Sequence, residues 1–297
     1  MSNLVNQFIE NVAAKDHFQC KALRKIVSLD EEKNNFECFL QFCIQKEGKT
    51  IDELTDAYLF LINMFREETY YFVRNGKYRF NKYDEVANSV YGNPEYMEKY
   101  MIGVHISDYI MFPHLKMMRF FDENLTNLSK NGGGYLEIGP GSGQFFIKAL
   151  RNGCFSEYNA CDLSPTSVKL CNDYLKFLGM TNNYKIECKN FFNYDKDKKY
   201  NCIVMGEVLE HVEDPALMLK QLYELLNVGG KAFITTVING PCIDHIYLFH
   251  NKEEVLELMH KVGFTVVNYI LAIEGDVSLE KAEKKKYTID IAMILSK

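Results

Sequence analysis

Positive charge is scarce in this 297-residue chain. Its 34 Lys and Arg stand against 40 Asp and Glu, for a formal net charge of −6 and a pI near 5.7. A nucleic-acid partner asks for a basic face, so this balance argues against one. The basic run "KAEKKKY" near the end reads as solvated surface. Paired cysteines are missing too. Nine cysteines are scattered singly, with no C-x-x-C and no zinc-ribbon spacing. Cys154, Cys161, Cys188 and Cys202 sit in apolar runs, as small buried hydrophobes do. Reduced core thiols in a cytoplasm are the expectation. No apolar run approaches the roughly 18 residues of a membrane span, so no membrane partner is expected. The first twenty residues lack a basic region followed by an apolar core, which argues against a signal peptide. Internal repeats and low-complexity segments are absent.

What is present divides into two grammars. Residues 1–125 read as helical. "LVNQFIENVAAK" and "NNFECFLQFCIQ" carry apolar stripes at helical spacing. Thr50, three residues before Glu53, signals a capping box at the head of "IDELTDAYLFLINMF". Asn75-Gly76, flanked by aromatic and β-branched residues in "YYFVRNGKYRF", predicts a hairpin. Helices followed by a hairpin describe a winged-helix-like module. The segment "NPEYMEKYMIGVHISDYIMFPHLKMMRFFDEN" is rich in Tyr, Met and Phe, and suits core or interface packing or a lid over a pocket. That apolar density predicts a homodimer formed through this half.

From 126 to 297 short strands alternate with helices. "GYLEIG", "EYNACDL", "YKIECKN", "YNCIVMG", "KAFITTVI", "FTVVNYILA" and "YTIDIAMIL" are apolar runs bounded by turn residues. The expected fold is α/β, a mostly parallel seven-stranded sheet with helices on both faces. In "YLEIGPGSGQF", Gly139, Gly141 and Gly143 follow a strand and open a helix, where glycine permits a sharp turn and close approach of a ligand. The spacing departs from the dinucleotide pattern, and Glu137 suits a cationic ligand better than a pyrophosphate. Asp162 closes the second strand, 25 residues after Glu137, where a carboxylate can accept both hydroxyls of a ribose. Its competing role as a helix cap is better filled by Ser164 before Pro165. Asn190 and Phe191, after the third strand, can read an adenine edge and stack on it.

"LEIGPGSG", "CDLSPTSV", "NFF" and "GEVLEHVEDP" followed by "LLNVGG" resemble the successive motifs of class I S-adenosylmethionine-dependent methyltransferases over roughly residues 130–297. The resemblance implies a Rossmann-like domain binding S-adenosylmethionine. Glu137 and Gly139 would lie along the methionine part, Asp162 would hold the ribose, and Asn190 and Phe191 would bracket the adenine. Gly141, Gly143, Leu163 and Gly206 complete the implied cofactor set. Asn190 departs from the Asp that many members carry. The first half resembles the winged-helix-like dimerisation domain of small-molecule O-methyltransferases, which implies a paired chain and a partly covered substrate pocket.

"EVLEH" holds the densest chemistry. On a helical turn Glu207, Glu210 and His211 fall at i, i+3 and i+4 and share a face. Two carboxylates and an imidazole suit a hard-to-intermediate cation, with a further ligand from His245 or His250 in "NGPCIDHIYLFH". This E-x-x-E-H arrangement resembles the metal motif of ubiquinone-type and small-RNA 2′-O-methyltransferases, which implies magnesium, manganese, iron or zinc. The alternative is packing and capping without metal. His211 or His245 would then act as base, with Glu210 orienting it. His105, Tyr109 and His114, with Asp244, are the substrate-side candidates. The expected activity is O-methylation of a small molecule in secondary metabolism. C-methylation of a 2-oxo acid, methylation of a macromolecule, and a winged-helix regulator that senses S-adenosylmethionine are the competing readings.

Overall fold

The computed structural model describes residues 3–26, 30–181, 183–275 and 277–297. It divides into two compact units. The first takes the described residues of Met1–Leu115, Pro241–Asp244 and Glu274–Val277, and the second takes Lys116–Gly240, His245–Ile273 and Ser278–Lys297.

The first unit is helical: α1 (Leu4–Lys15), α2 (His17–Ile26), α3 (Asp30–Gln45), α4 (Ile51–Asn75), a single turn α5 (Tyr83–Val86) and α6 (Pro94–Ile110). Val5, Phe8, Ile9 and Val12 form the buried stripe of α1. Phe8 meets the edge of Phe36 on α3, with ring centroids 5.3 Å apart. The capping box holds as expected: Thr50 accepts from the Glu53 N–H, and Glu53 reaches back to the Thr50 N–H. α4 and α6 approach closely at Gly103, where an added Cβ would stand 2.6 Å from the Ala57 carbonyl oxygen.

The expected hairpin is absent. Asn75 is the last residue of the 25-residue α4, and Gly76 caps it in the left-handed conformation, its N–H donating to the Phe72 carbonyl. Glycine's tolerance of positive φ serves a helix C-cap as readily as a hairpin turn, which is why the dipeptide misled. The residues after Gly76 form no strand. Arg79 instead makes a paired contact with the buried Glu68 carboxylate on α4. Among the described residues no strand precedes Gly134, so the wing of a winged helix is missing.

The second unit contains most of α7 (Phe112–Leu128), then β1 (Gly134–Ile138), α8 (Gln144–Asn152), β2 (Glu157–Asp162), α9 (Pro165–Phe177), β3 (Tyr184–Cys188), β4 (Tyr200–Gly206), α10 (Pro215–Leu225), β5 (Leu226–Ile238), α11 (Lys252–Val262), β6 (Thr265–Ala272), α12 (Leu279–Lys285) and β7 (Ile289–Ser296). The seven strands lie in the order β3-β2-β1-β4-β5-β7-β6. The five from β3 to β5 are parallel. β7 runs antiparallel between β5 and β6, so the sheet is mixed. β1 pairs with β2 on one side and β4 on the other, so strand order reverses there. Such a switch point opens a crevice beyond the carboxyl ends of the strands.

The central strands are buried on both faces, as their unbroken apolarity demands. Phe121, Phe145 and Phe233 pack edge to face beside the sheet, with centroids 4.9–5.2 Å apart. Cys161, Cys171 and Cys202 are core thiols, whereas Cys154 and Cys188 lie at strand or helix ends and are exposed. None of the described helices is long and apolar enough to cross a membrane.

Candidate active site

Three turns converge where β1, β2 and β4 end. The first is the glycine loop after β1. Gly139, Gly141 and Gly143 all have positive φ (65°, 52° and 81°). At two of them space is closed as well: a Cβ on Gly139 would stand 2.8 Å from Val208, and one on Gly143 2.7 Å from the Cys171 sulfur. Gly143 caps α8 without a capping side chain. Glu137 supplies the acceptor instead, taking hydrogen bonds from the Phe146 N–H in the first turn of α8 and from the Tyr135 hydroxyl. Burial pushes the Glu137 carboxyl up to about 8, against the downward pull of those two bonds.

The second turn follows β2. Asp162 accepts from the Ser164 N–H at 2.8 Å and from the Gly141 N–H, tying the glycine loop to the neighbouring strand. Burial raises its carboxyl above the ordinary value, and these backbone bonds oppose the rise. Ser164 is the cap of α9, as its place before Pro165 suggests. Leu163, beside Asp162, is 60% exposed. After β3, Asn190 spends its side chain capping a short turn through the Phe192 N–H. Phe191 is buried against Tyr194 and Phe192, and the ring facing outward is that of Phe192.

The third turn follows β4, and here the expected helical turn does not form. Gly206 touches Phe145 so closely that a Cβ would stand 2.7 Å from the ring. Glu207 takes a left-handed backbone (φ 52°), and only Leu209–His211 form a short 3₁₀ turn. Glu207 and Glu210 are then held by consecutive residues of β5. Thr235 Oγ1 donates to Glu207 Oε1 at 2.6 Å, and Thr236 Oγ1 donates to Glu210 Oε2 at 2.7 Å. Neighbouring strand residues point to opposite faces of a sheet, so the two carboxylates part company. Glu207 therefore leaves the expected set of ligands.

Glu210, His211 and His245 do come together. One ligand atom from each lies within 4.8 Å of the others. The His211 and His245 rings meet edge to face, with centroids 4.8 Å apart. The loop carrying His245 is docked on the 3₁₀ turn by two bonds, from the Ile246 and Tyr247 N–H groups to the Glu210 carbonyl. His245 Nδ1 stands 2.7 Å from the Gly240 carbonyl oxygen. A carbonyl only accepts, so Nδ1 carries the proton, and in the neutral imidazole Nε2 is then the nitrogen with the lone pair. His250 is exposed and stands apart from this group. Its N–H donates to Glu254, and its carbonyl accepts from Asn239.

The substrate-side candidates have varied surroundings in the helical unit. His105 and Tyr109 are buried against Phe39, with ring centroids 6.3 and 4.9 Å from it, and burial lowers the His105 imidazole to about 4. His114 Nδ1 lies 3.3 Å from Asp108. Asp244 is buried and accepts from the Tyr100 hydroxyl at 2.7 Å and the Cys242 thiol at 3.0 Å. Sequence reasoning missed Thr235 and Thr236. Two adjacent hydroxyls in an otherwise apolar strand, "KAFITTVI", were the available signal.

The model of a methyltransferase domain matches residues 111–269. Malonyl-[acyl-carrier protein] O-methyltransferase 1 of Ilyobacter polytropus is 28% identical over 169 residues, covering 52% of this chain and 60% of that one. A ubiquinone biosynthesis O-methyltransferase of Xanthomonas euvesicatoria pv. vesicatoria is 28% identical over 116 residues, 39% of this chain and 48% of its own. The chain thus spans about half to three-fifths of the length of these curated relatives. The mitomycin 7-O-methyltransferase MmcR shares the fold with a TM-score of 0.55 over 83% of this chain and 70% of that one, at 11% identity.

Proposed function

Because this chain belongs to the methyltransferase-domain family, we propose that it is an S-adenosylmethionine-dependent methyltransferase that methylates an oxygen of a small molecule, activated at Glu210, His211 and His245. The observation that carries this reading is the convergence of those three side chains beyond the ends of β4 and β5. Both relatives are named as O-methyltransferases, which favours oxygen over carbon.

In this reading the methyl donor sits in the crevice beyond the ends of β1, β2 and β4. Within the glycine loop Gly141 has open space where a side chain would stand, and the partly exposed Asp162 carboxylate stands beside the exposed Leu163. In this reading Asp162 accepts the ribose hydroxyls and Leu163 covers an adenine face. Glu137 acts from beneath, fixing the start of α8 and hence the loop. The donor supplies an electrophilic methyl on a sulfonium.

Glu210, His211 and His245 offer one oxygen and two nitrogens, a mixed set that suits manganese, iron or zinc better than magnesium. The Gly240 carbonyl holds His245 in the tautomer a ligand needs. A divalent ion bound there would lower the pKa of an acceptor hydroxyl and orient its oxygen. His245 Nε2 is equally placed by its tautomer to take the acceptor proton, and the Glu210 carboxylate favours the imidazolium so formed. Dialysis against a strong chelator separates the two roles. Loss of turnover restored by one added metal supports three ligands; full turnover in metal-free protein, verified by elemental analysis, assigns His245 or His211 as a simple base. The function itself is tested by methyl transfer to a panel of phenols, 2-oxo acids and amino-acid derivatives, with product NMR locating the new methyl group. Products carrying it on carbon alone would refute O-methylation.

A further inference from the structure

Glu207 has no part in the group of Glu210, His211 and His245, yet the fold holds it in a strained shape. Its left-handed backbone (φ 52°) is one that a residue with a Cβ enters only at a cost. A reciprocal clamp on β5 keeps it there. The Glu207 N–H donates to the Thr235 carbonyl at 3.2 Å and to Thr235 Oγ1 at 3.1 Å, and that hydroxyl donates back to Glu207 Oε1 at 2.6 Å. Thr235 is wholly buried, whereas Glu207 is only half-buried. Strain held by the surrounding structure in this way gathers at functional positions.

The neighbours of Glu207 set it against the glycine loop. Val208 closes on one end of that loop: a Cβ on Gly139 would stand 2.8 Å from Val208 Cγ2. Gly206 closes on the other end, where a Cβ would meet Phe145, the second residue of α8, at 2.7 Å and Thr235 Oγ1 at 3.5 Å. The hydroxyl that anchors Glu207 therefore lies on the Phe145 side of the sheet. Thr236, which holds Glu210, points to the other side. One turn thus presents one carboxylate toward the glycine loop and another toward His211 and His245.

We propose that Glu207 is a binding residue for the methyl donor, accepting a hydrogen bond from the α-ammonium group of its amino-acid end. This rests on the donor lying in the crevice, as in the proposed function. The donor carries two positive charges at that end, a sulfonium and an ammonium, and the chemistry separates them. A carboxylate at the sulfonium would stabilise a charge that disappears as the methyl group leaves, and so would slow transfer. The ammonium keeps its charge throughout, so a carboxylate there holds ground state and transition state alike. An ionised carboxylate has about four acceptor positions, and Thr235 uses one of them. The competing role is structural, with Glu207 serving only to pin the turn to β5.

The test is calorimetry on the full chain in buffer containing a strong chelator, so that no cation at Glu210, His211 and His245 contributes. Three probes are compared. S-adenosylmethionine has both charges, S-adenosylhomocysteine keeps the ammonium without the sulfonium, and 5′-methylthioadenosine has neither. Glu207→Gln should weaken the first two alike, on the order of 10-fold for the loss of a charged hydrogen bond, and leave the third within about 2-fold. Glu207→Gly, which suits the left-handed backbone, should repeat that pattern. Circular dichroism confirms that each variant is folded. The proposal is overturned by an equal loss for all three probes, by a loss for S-adenosylmethionine alone, or by unchanged affinities in both folded variants. A parent chain that binds none of the three contradicts the proposed donor site itself, which keeps the two failures apart.

Discussion

Single side chains decide this site through their hydrogen bonds. In the proposed function Asp162 accepts the two ribose hydroxyls, and its carboxylate already orders the Gly141 N–H. Asp162→Ala should weaken S-adenosylmethionine binding by about 1–3 kcal/mol, or roughly 5- to 150-fold. Calorimetry reads this directly, and unchanged affinity would remove Asp162 from the donor site. The residue scale is also where the sequence spoke least clearly. Glu210, His211 and His245 were legible as types and spacings. That Glu207 would leave them was not, because its partner Thr235 is 28 residues away in sequence. His105 and Tyr109 looked available for substrate, but their i, i+4 spacing is equally that of a buried helical stripe, and the structure shows the latter.

At the scale of elements, α4 and α6 pack tightly against each other at one point, Gly103. Gly103→Ala would push a methyl to 2.6 Å from the Ala57 carbonyl and 2.9 Å from Leu61 Cβ. Backbone cannot yield cheaply, so the overpacking cost of about 1–3 kcal/mol should exceed alanine's helix-propensity gain of about 1. A lowered urea midpoint checks this, and a raised one would mean that the helices stand further apart. The seven strands and the helices from α8 to α11 were readable because apolar period and turn residues agree there. α12 went unseen in "LEKAEKK", since seven mostly charged residues carry no apolar stripe. The strand-like "YYFV" continued a helix because the stripe of α4 and its capping box outweigh local β propensity.

For the whole molecule, two buried titratable groups give stability a definite dependence on pH. The Glu137 carboxyl titrates near 8 in the folded chain, against an ordinary value of 4.5. Its contribution is complete below 4.5 and is lost as pH rises toward 8, because the unfolded chain ionises first. The His105 imidazole titrates near 4 when folded and 6.5 when not. Its contribution is complete above 6.5 and is lost as pH falls toward 4. The two slopes oppose each other between 4.5 and 6.5, and Glu137 alone acts above. Urea denaturation without methyl donor should therefore show stability falling from pH 6.5 to 8, by on the order of 1.4 kcal/mol for each pH step of one. Glu137→Gln should flatten that limb, and an equally steep limb in the variant would assign it elsewhere. The central claim, that Glu210, His211 and His245 activate the acceptor while other residues hold the donor, is tested most directly by paired measurements on His245→Ala. Methyl transfer to the best acceptor of the panel and donor affinity by calorimetry are read on the same protein. Turnover should drop by about 10²- to 10⁴-fold, the usual worth of a positioned acid–base group, with donor Kd unchanged within about 2-fold. Turnover equal to that of the parent chain, or a collapse of donor binding in a folded variant, would contradict it.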